Sequence, residues 1–341
     1  MQVFHHTSSA HKIPQFHNVQ PESILLLDIE TTGLTPDVST LFMIGCGYYE
    51  EDRLHTIHWL ADDLTLESEQ DILQAFSQWT DSHYNTDEEI HLITYNGDLF
   101  DLPFLKKRIK ECHLEELFND CKAFEHSLDY YRQVSSFKHL WPVKNLKLQT
   151  ISSWLGYKNS KTPSGRALIK TYHAYIKEKD PALLNLLFLH NIDDIEALSK
   201  VLSIHVYKDF ANGNYQIQSL DFSGSRDYLI FRILPNEVFP AQIQYEKFDI
   251  QLDLNDSVTL TIPVYERGLR YYYQDYKNYI YLISEDYALH KSMATYIDKS
   301  NWNKATEETC YTWFLPDDDF FNNPIKQKDF IQMVFRLLGL V

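Results

Sequence analysis

Apolar residues follow two different spacings in the first part of the chain. Four short apolar runs predict buried strands. These runs are I-L-L-L-D from Ile24, L-F-M-I-G-C-G-Y-Y from Leu41, T-I-H-W-L from Thr56 and H-L-I-T-Y from His91. Between the third and fourth runs, Leu66 to Trp79 places apolar residues at helical spacing. A second helix is predicted after Leu102, because Pro103 suits a first turn.

The segments that follow extend this alternation of strands and helices. C-K-A-F-E-H-S-L-D is interpreted as a fifth strand, and helices are predicted near residues 145–154, 164–178 and 181–203. Three strands, a helix, a strand, a helix, a strand and further helices indicate an α/β domain with a mixed sheet flanked by helices.

The regular pattern breaks at residues 208–214, K-D-F-A-N-G-N, and a β-rich region follows. Four runs there alternate apolar and polar residues as antiparallel strands do: R-D-Y-L-I-F-R-I-L, Q-Y-E-K-F-D-I-Q-L-D-L, S-V-T-L-T-I-P-V and Y-I-Y-L-I. Phe330 to Val341 predicts an amphipathic helix. We therefore divide the chain into a polar N-terminal arm over residues 1–20, an α/β domain over 21–205 and a β-rich C-terminal domain over 215–341, for which no role is predicted.

A length of 341 residues agrees with two domains, but a net charge of -17 counts against a protein that coats nucleic acid. Binding to nucleic acid would need a local basic surface, and the segment from Tyr130 to Lys177 contains no Asp or Glu. Its nine basic residues are Arg132, Lys138, Lys144, Lys147, Lys158, Lys161, Arg166, Lys170 and Lys177. Its aromatic residues are Tyr130, Tyr131, Phe137, Trp141, Trp154, Tyr157, Tyr172 and Tyr175.

Cations that follow a phosphate backbone and rings that stack on bases are the ingredients of single-strand binding, which this segment favours. Alternatively, the basic residues of this segment lie on solvated helix faces and its aromatic residues belong to the core. Six tyrosines between Tyr271 and Tyr281 are similarly explained by alternating strand residues with one face in a core.

Other features of the composition predict a cytoplasmic protein with no membrane contact. The four cysteines form no C-x-x-C pair and indicate reduced, buried thiols. The first residues lack the pattern of a signal peptide, and no stretch approaches the ~18 consecutive apolar residues that span a bilayer. The histidines of the N-terminal arm fit no metal-binding spacing, so a solvated arm is predicted. They are His5, His6, His11 and His17.

Two acidic residues end the first apolar strand. Residues two apart in a strand share a face, so the carboxylates of Asp28 and Glu30 project side by side. Two like charges beside an apolar strand are costly unless a cation lies between them, and hard divalent ions prefer carboxylate oxygens. A solvated strand end that carries two acids is the alternative interpretation.

A second group of polar residues lies on a strongly apolar helix, L-L-N-L-L-F-L-H-N-I-D-D-I-E-A-L. His190 and Asp194 are four residues apart, so they share one helical face and can address one site. A hydrogen-bonded pair within the core is the alternative, and Asp193 remains open as a ligand on a neighbouring face.

The sequence D-I-E-T-T-G-L resembles the first motif of the DEDD superfamily of 3′–5′ exonucleases, in which the two acids bind metal. The sequence Y-N-G-D-L-F-D-L-P-F-L resembles the second motif, and its register makes Asp101, rather than Asp98, the third metal carboxylate. His190 and Asp194 have the spacing of the branch that uses tyrosine but the histidine of the other branch. Over residues 22–204 the chain resembles the YprB-type ribonuclease H-like family, with L-K-L-Q-T-I-S-S-W-L-G and H-N-x-x-D as further matches.

The resemblance implies a ribonuclease H-like fold and a 3′–5′ exonuclease that hydrolyses terminal phosphodiesters of DNA or RNA. Two Mg²⁺ or Mn²⁺ ions are expected on Asp28, Glu30, Asp101 and Asp194, with His190 orienting or deprotonating water. The expected partner is nucleic acid, single-stranded or with a free 3′ end. The expected substrate-binding residues are Thr31, Leu34, Asn96, Lys144 and Lys147. An endonuclease with the same four carboxylates and a non-catalytic nucleic-acid-binding module remain as alternatives.

Overall fold

The structure is a computed structural model that describes residues 1–8, 19–84, 89–118, 124, 126–160 and 165–341. Its contacts divide the chain into two compact units. The first unit consists of Met1–Lys138 and Val143–Ser203, and the second consists of His139–Pro142 and Ile204–Val341. The division after Ser203 lies close to residue 205, where the sequence places the end of the α/β domain.

The first unit is a mixed sheet flanked by helices, which confirms the predicted fold class. The six strands have the order β1-β4-β3-β2-β5-β6, in which β1 to β4 pair antiparallel and β5 and β6 run parallel to β2. The strands are β1 (Gln2–Thr7), β2 (Ile24–Thr31), β3 (Leu41–Glu50), β4 (Arg53–Leu60), β5 (His91–Thr94) and β6 (Ser127–Asp129). The helices are α1 (Leu66–His83), α2 (Asp101–Glu111), α3 (Glu115–Phe118), α4 (Tyr130–Ser136), α5 (Leu148–Trp154), α6 (Gly165–Glu178) and α7 (Pro181–Val201).

The alternation of side chains along β2 separates a purely apolar face from the face that carries the acids. Leu25, Leu27 and Ile29 are buried in the core that also contains residues of α1 and α2. Leu26 points the other way, because a Cβ placed at Gly47 would touch both Leu26 and Ile195 of α7. Asp28 and Glu30 follow Leu26 at intervals of two, so they lie on the face that α7 covers.

The first residues of the chain differ from the solvated arm that their polarity predicts. Gln2 to Thr7 form β1, which pairs antiparallel with β4 from Leu60 back to His55. The backbone groups at the edge of β4 require partners, and this requirement outweighs the local polarity of the segment. Of the four arm histidines, His11 and His17 lie outside the described residues. The fifth predicted strand is shorter than expected: Ser127–Asp129 form β6, whereas Phe124 and His126 lie outside it, and residues 121–123 and 125 lie outside the described residues.

The second unit is rich in antiparallel strands, as predicted. Its five-stranded sheet has the order β7-β8-β11-β10-β9, and the described strands also form a pair β12-β16 and a three-stranded sheet β14-β13-β15. The elements are α8 (His205–Ala211), β7 (Tyr215–Phe222), β8 (Tyr228–Pro235), β9 (Ile243–Lys247), β10 (Ile250–Leu254), β11 (Val258–Pro263), β12 (Leu269–Tyr272), β13 (Tyr279–Leu282), β14 (Tyr287–His290), β15 (Trp302–Lys304), β16 (Tyr311–Phe314), α9 (Asp318–Asn322) and α10 (Pro324–Leu338).

Two of these elements differ from the sequence pattern in their extent. The run Q-Y-E-K-F-D-I-Q-L-D-L folds into the hairpin β9-β10, with Phe248 and Asp249 at φ 54° and 61° in a two-residue turn. The terminal helix α10 begins at Pro324, because the side chain of Asn323 accepts hydrogen bonds from the first free amides of the helix. No helix in the described residues has the length and apolar character needed to cross a membrane.

Short 3₁₀ segments complete the secondary structure of the described residues. They are Pro21–Ser23, Leu202–Ile204, Tyr276–Asn278, Lys291–Tyr296 and Lys299–Asn301.

Candidate metal centre

Strand β2 presents Asp28 and Glu30 on the same face at its carboxyl end. The pairing of β2 with β3 continues regularly to Glu30 and then shifts its register between Glu30 and Thr31. A bulge at this point ends the regular ladder beside the second acid, as bulges near functional sites commonly do. Both acids are half-buried, so they project from the sheet without reaching bulk solvent freely.

The third acid comes from the start of α2. Asp101 is buried, and its Oδ1 accepts a hydrogen bond of 3.3 Å from the backbone N–H of Ile29. The competing acid, Asp98, instead forms an ion pair of 2.8 Å with the exposed Arg132. The structure therefore brings Asp101 to β2 and places Asp98 in an ion pair of the preceding loop.

Helix α7 supplies the fourth acid together with a histidine. His190 Nε2 lies 3.4 Å from Glu30 Oε1 and 3.5 Å from Asp194 Oδ2. One ligand atom from each of these three residues lies within 4.8 Å of the other two. The spacing of four residues places His190 and Asp194 one above the other on the helix, as the sequence predicts.

Asp193, which the sequence left open as a ligand, is committed to other contacts. Its Oδ1 accepts hydrogen bonds of 2.9 Å from the Tyr157 hydroxyl and from the backbone N–H of Ser160. The Tyr157 hydroxyl also lies 2.9 Å from Glu196 Oε2. Asp193 therefore links residues 157–160 to α7 through hydrogen bonds, and it is not a member of the cluster of Glu30, His190 and Asp194.

Burial raises the pKa values of all four acids, and repulsion within the group adds to it for Asp28 and Glu30. Burial is the largest cause in every case, and for Asp28 the charges of Asp194, Glu30 and Asp101 add to it. Burial, followed by the charges of Asp194 and Asp101, raises the pKa of Glu30. Burial raises the pKa of Asp101 to about 7 and also raises that of Asp194, which His190 and Gln149 partly counteract. The four carboxylates are therefore costly to ionise together without an added positive charge.

This donor set fits a divalent metal ion. Among the described residues, no lysine or arginine forms an ion pair with any of the four acids, and His190 is the basic side chain in contact with two of them. Clustered carboxylate oxygens are the ligands that hard divalent cations prefer. The residues present therefore match the charge and the ligand type of a metal centre.

Two residues that hold these acids in place were not recognised from the sequence. Asn191 Nδ2 donates a hydrogen bond of 2.6 Å to Asp28 Oδ2, and Gln149 Nε2 donates one of 2.9 Å to Asp194 Oδ1. Asn191 directly follows His190 in H-N-I-D-D, and Gln149 lies in L-K-L-Q-T. Both residues stand within recognised motifs, but the acids to which they donate are 163 and 45 residues away in the sequence. The sequence alone therefore did not indicate these hydrogen bonds.

The residues expected to bind substrate lie in different environments. Thr31 is buried and donates a hydrogen bond of 2.7 Å to the carbonyl oxygen of Gly33, whereas the side chain of Leu34 is 83% exposed. Asn96 adopts the left-handed conformation, and its backbone N–H donates to Asp129. Lys144 and Lys147 are exposed, and Lys147 is the N-cap residue that directly precedes α5. Leu34, Lys144 and Lys147 are thus accessible to a ligand.

The basic segment keeps its cations on the surface but buries most of its aromatic rings. Every described basic residue of the segment is exposed, and Lys161 lies outside the described residues. Five of the eight rings are buried and cannot stack on bases, which contradicts that part of the single-strand hypothesis. They are Tyr130, Phe137, Trp141, Tyr172 and Tyr175.

Comparison with known proteins agrees with this topology. The mixed sheet and its carboxylate cluster define an α/β domain of the ribonuclease H type, and the sequence profile of the RNase H superfamily matches residues 25–206. This match covers more than half of the chain, and the protein belongs to the RNase H superfamily. Membership confirms the fold inferred from the motifs and supports a nuclease activity. No curated protein sequence matches the chain significantly.

Several solved structures of exonuclease I resemble the chain. Exonuclease I in complex with the inhibitor BCBP is 14% identical over 61% of this chain and 54% of that chain, with a TM-score of 0.32. The apo form is 16% identical over 64% and 57%, with a TM-score of 0.32. A metal-free complex of the E. coli enzyme with single-stranded DNA is 12% identical over 93% and 69%, with a TM-score of 0.31. In the first two comparisons the chain spans little more than half the length of exonuclease I.

Proposed function

We propose that the protein is a metal-dependent 3′–5′ exonuclease that removes nucleotides from the free end of a DNA or RNA strand. The observation that carries this proposal is the gathering of Asp28, Glu30, Asp101 and Asp194 from three distant segments of the chain. Burial raises the pKa values of all four carboxylates, and the charges of the other acids raise those of Asp28 and Glu30 further. Such an arrangement is favourable when cations neutralise it.

In the proposed site, the four acids would hold two divalent ions, Mg²⁺ or Mn²⁺. When bound, these ions supply the positive charge that activates water and stabilises the leaving oxygen. His190 accepts the proton of the attacking water at Nε2, where Glu30 and Asp194 are in reach of the resulting imidazolium. The oxygen of that water bonds to phosphorus as the bond from phosphorus to the 3′ oxygen breaks, and the released 3′ oxygen takes up a proton from solvent.

The surroundings of the acids offer contacts for a nucleic-acid end. Leu34 exposes an apolar side chain three residues after β2 ends, and an exposed apolar group at this position suits the face of a terminal base. Lys144 and Lys147 are exposed shortly before Gln149, which hydrogen-bonds to Asp194. In a chain of net charge -17, these cations offer a local attraction for phosphates.

The proposal is tested by incubating the full chain with 5′-labelled single-stranded DNA and RNA, with and without Mn²⁺. We expect a ladder of products that shortens from the 3′ end only when metal is present. The variant D28N should show no degradation while its thermal unfolding remains cooperative. Degradation by D28N equal to that of the unmodified protein would refute the site.

The same experiment distinguishes the alternatives through its substrates. A circular single strand has no end, so its cleavage would identify an endonuclease with the same carboxylates. A strand that is bound but never cleaved, combined with no heat of Mn²⁺ binding in calorimetry, would identify a non-catalytic module.

A further inference from the structure

A row of residues crosses the first sheet at the level of Asp28. Asp28 pairs with Gly45 of β3, Gly45 pairs with His58 of β4, and His58 pairs with Phe4 of β1. Directly paired residues of neighbouring strands point to the same face of a sheet. Because Gly45 has no side chain, a gap remains between the carboxylate of Asp28 and the imidazole of His58.

Asn191 of α7 fills this gap. A Cβ built at Gly45 would lie 1.6 Å from Asn191 Oδ1, so no other residue is compatible with this position of the amide. Asn191 Nδ2 lies 2.6 Å from Asp28 Oδ2, and Asn191 Oδ1 lies 2.8 Å from His58 Nδ1. Asn191 and His58 have no solvent exposure. The amide therefore connects the acid of β2 with a histidine two strands away.

The chemistry of the partners fixes the direction of each hydrogen bond. An ionised carboxylate only accepts hydrogen bonds, so the NH₂ group of Asn191 faces Asp28 and its carbonyl faces His58. That carbonyl also only accepts, so His58 carries a proton on Nδ1. His58 Nε2 lies 2.9 Å from Thr56 Oγ1 and, in the neutral ring, accepts from that hydroxyl. Burial lowers the pKa of His58 to about 4, which agrees with a neutral ring.

Aromatic rings shield this chain of hydrogen bonds from water. The Phe4 ring stacks on Phe188 of α7 at 4.9 Å, and the His58 ring lies 6.5 Å from Phe4 and 6.1 Å from Phe188. Hydrogen bonds in such an apolar, buried setting are strong and hold their groups in one orientation. The Nδ2 group of Asn191, which donates to Asp28, is therefore held in one orientation.

Resting on the proposed function, we propose that Thr56, His58 and Asn191 are positioning residues that orient Asp28 for the divalent ion. The Asn191 amide donates to Oδ2 of Asp28, which leaves Oδ1 of the same carboxylate as the atom that would be available to a cation. Hydrogen bonds that orient a ligand in this way commonly change metal affinity or activity about 10–100-fold when removed. We call these three residues the Asn191 relay.

Calorimetric titration of the full chain with Mn²⁺, without nucleic acid, measures the relay directly. Replacing Asn191 with leucine keeps the number and branching of the side-chain heavy atoms and removes the donor, and we expect N191L to bind Mn²⁺ about 10–100-fold more weakly. In degradation assays kcat should fall while KM for the strand changes little, because the strand does not touch the relay. Mn²⁺ binding by folded N191L equal to that of the unmodified protein would overturn the inference.

Two substitutions of His58 separate positioning from packing. H58L removes the donor to Asn191, whereas the amide of H58N can place a donor near the position of Nδ1. We expect H58L to weaken Mn²⁺ binding and H58N to restore most of the affinity. Equal losses in H58L and H58N, with both proteins folded, would show that His58 acts only as a packing residue.

Neighbouring glycines of β3 provide a matched steric control. A methyl group at Gly45 collides with the Asn191 amide, whereas one at Gly47 collides with Ile195, which lies outside the relay. Both residues face α7, so both substitutions strain the same helix. We expect G45A to weaken Mn²⁺ binding more than G47A, and the reverse order would contradict the relay.

The outcome for the unmodified protein distinguishes the two proposals. If neither the unmodified protein nor any variant binds Mn²⁺, the proposed metal centre fails together with the relay. If the unmodified protein binds Mn²⁺, D28N does not, and N191L binds normally, the relay alone fails.

Discussion

The carboxylate of Asp101 accepts a hydrogen bond from the backbone N–H of Ile29, the residue between Asp28 and Glu30. The third acid is therefore tied to the strand that carries the first two, although 72 positions separate the partners in the sequence. This bond accounts for the choice of Asp101 over Asp98, whose carboxylate pairs with Arg132.

The variants D101N and D98N are expected to differ sharply in activity. A metal ligand contributes several kcal/mol of charge stabilisation, so D101N should lower kcat roughly a thousandfold. D98N breaks an exposed ion pair that contributes at most about 1 kcal/mol, and its activity should stay near that of the unmodified protein. Rates with end-labelled strands at saturating Mn²⁺ measure both. A D98N protein as inactive as D101N would exclude this assignment.

The stability of the metal-free protein should decrease as pH rises. The folded protein raises the pKa of Asp101 from 3.8 to about 7, so between these values it binds a proton that the unfolded chain has lost. The stabilisation is present below pH 3.8 and is lost as pH rises through about 7. Melting temperatures in the presence of a chelator should therefore fall over this range, and Mn²⁺ should restore them above it.

The variant D101N provides the control for this pH dependence. Its amide does not titrate, so its melting temperature in chelator should fall less steeply between pH 4 and about 7 than that of the unmodified protein. Parallel curves for the two proteins would show that Asp101 is not a source of the pH dependence.

His190 is expected to affect the rate of hydrolysis more than the folding of the protein. Replacing it with asparagine removes a proton acceptor whose contribution as a general base is about 10²–10⁴-fold in kcat. Single-turnover rates at saturating Mn²⁺ provide the measurement, and thermal unfolding checks that H190N is folded. A rate in H190N equal to that of the unmodified protein would assign the base to another group.

Lys144 and Lys147 are expected to act on binding rather than on chemistry. Each phosphate contact to a single strand contributes about 0.7 to the slope of log affinity against log salt. The double variant K144A/K147A should therefore show a slope that is shallower by up to about 1.4, with kcat almost unchanged. K326A removes a lysine of the second unit that pairs with Asp319, and it serves as a control for the loss of one positive charge. An unchanged slope in the double variant would place the strand elsewhere.

The sequence predicts those parts of the site that depend on local spacing. The interval between Asp28 and Glu30 requires only the period of a strand, and the interval between His190 and Asp194 requires only the period of a helix. Because these periods hold in any regular strand or helix, the sequence alone predicts that the two members of each pair share a face. The mixed sheet follows for a similar reason, because short apolar runs and helical spacing alternate along the chain.

Contacts between distant segments could not be predicted in the same way. The hydrogen bond from Asn191 to Asp28 depends on the packing of α7 over Gly45, which no local pattern encodes. The strand formed by Gln2 to Thr7 was not predicted, because its sequence is polar and it forms by pairing with the distant edge of β4. The turn at Phe248 and Asp249 lacks the Asn-Gly pair that usually marks such hairpins.

The strand β1 also influences how the protein behaves at high concentration. It pairs with the edge of β4, a mostly buried strand, and its own residues are mostly exposed. A chain trimmed of its first seven residues would offer the unpaired backbone of β4 to other molecules. Proteolytic loss of this short segment is therefore expected to cause aggregation, which light scattering would detect before any change in helix content.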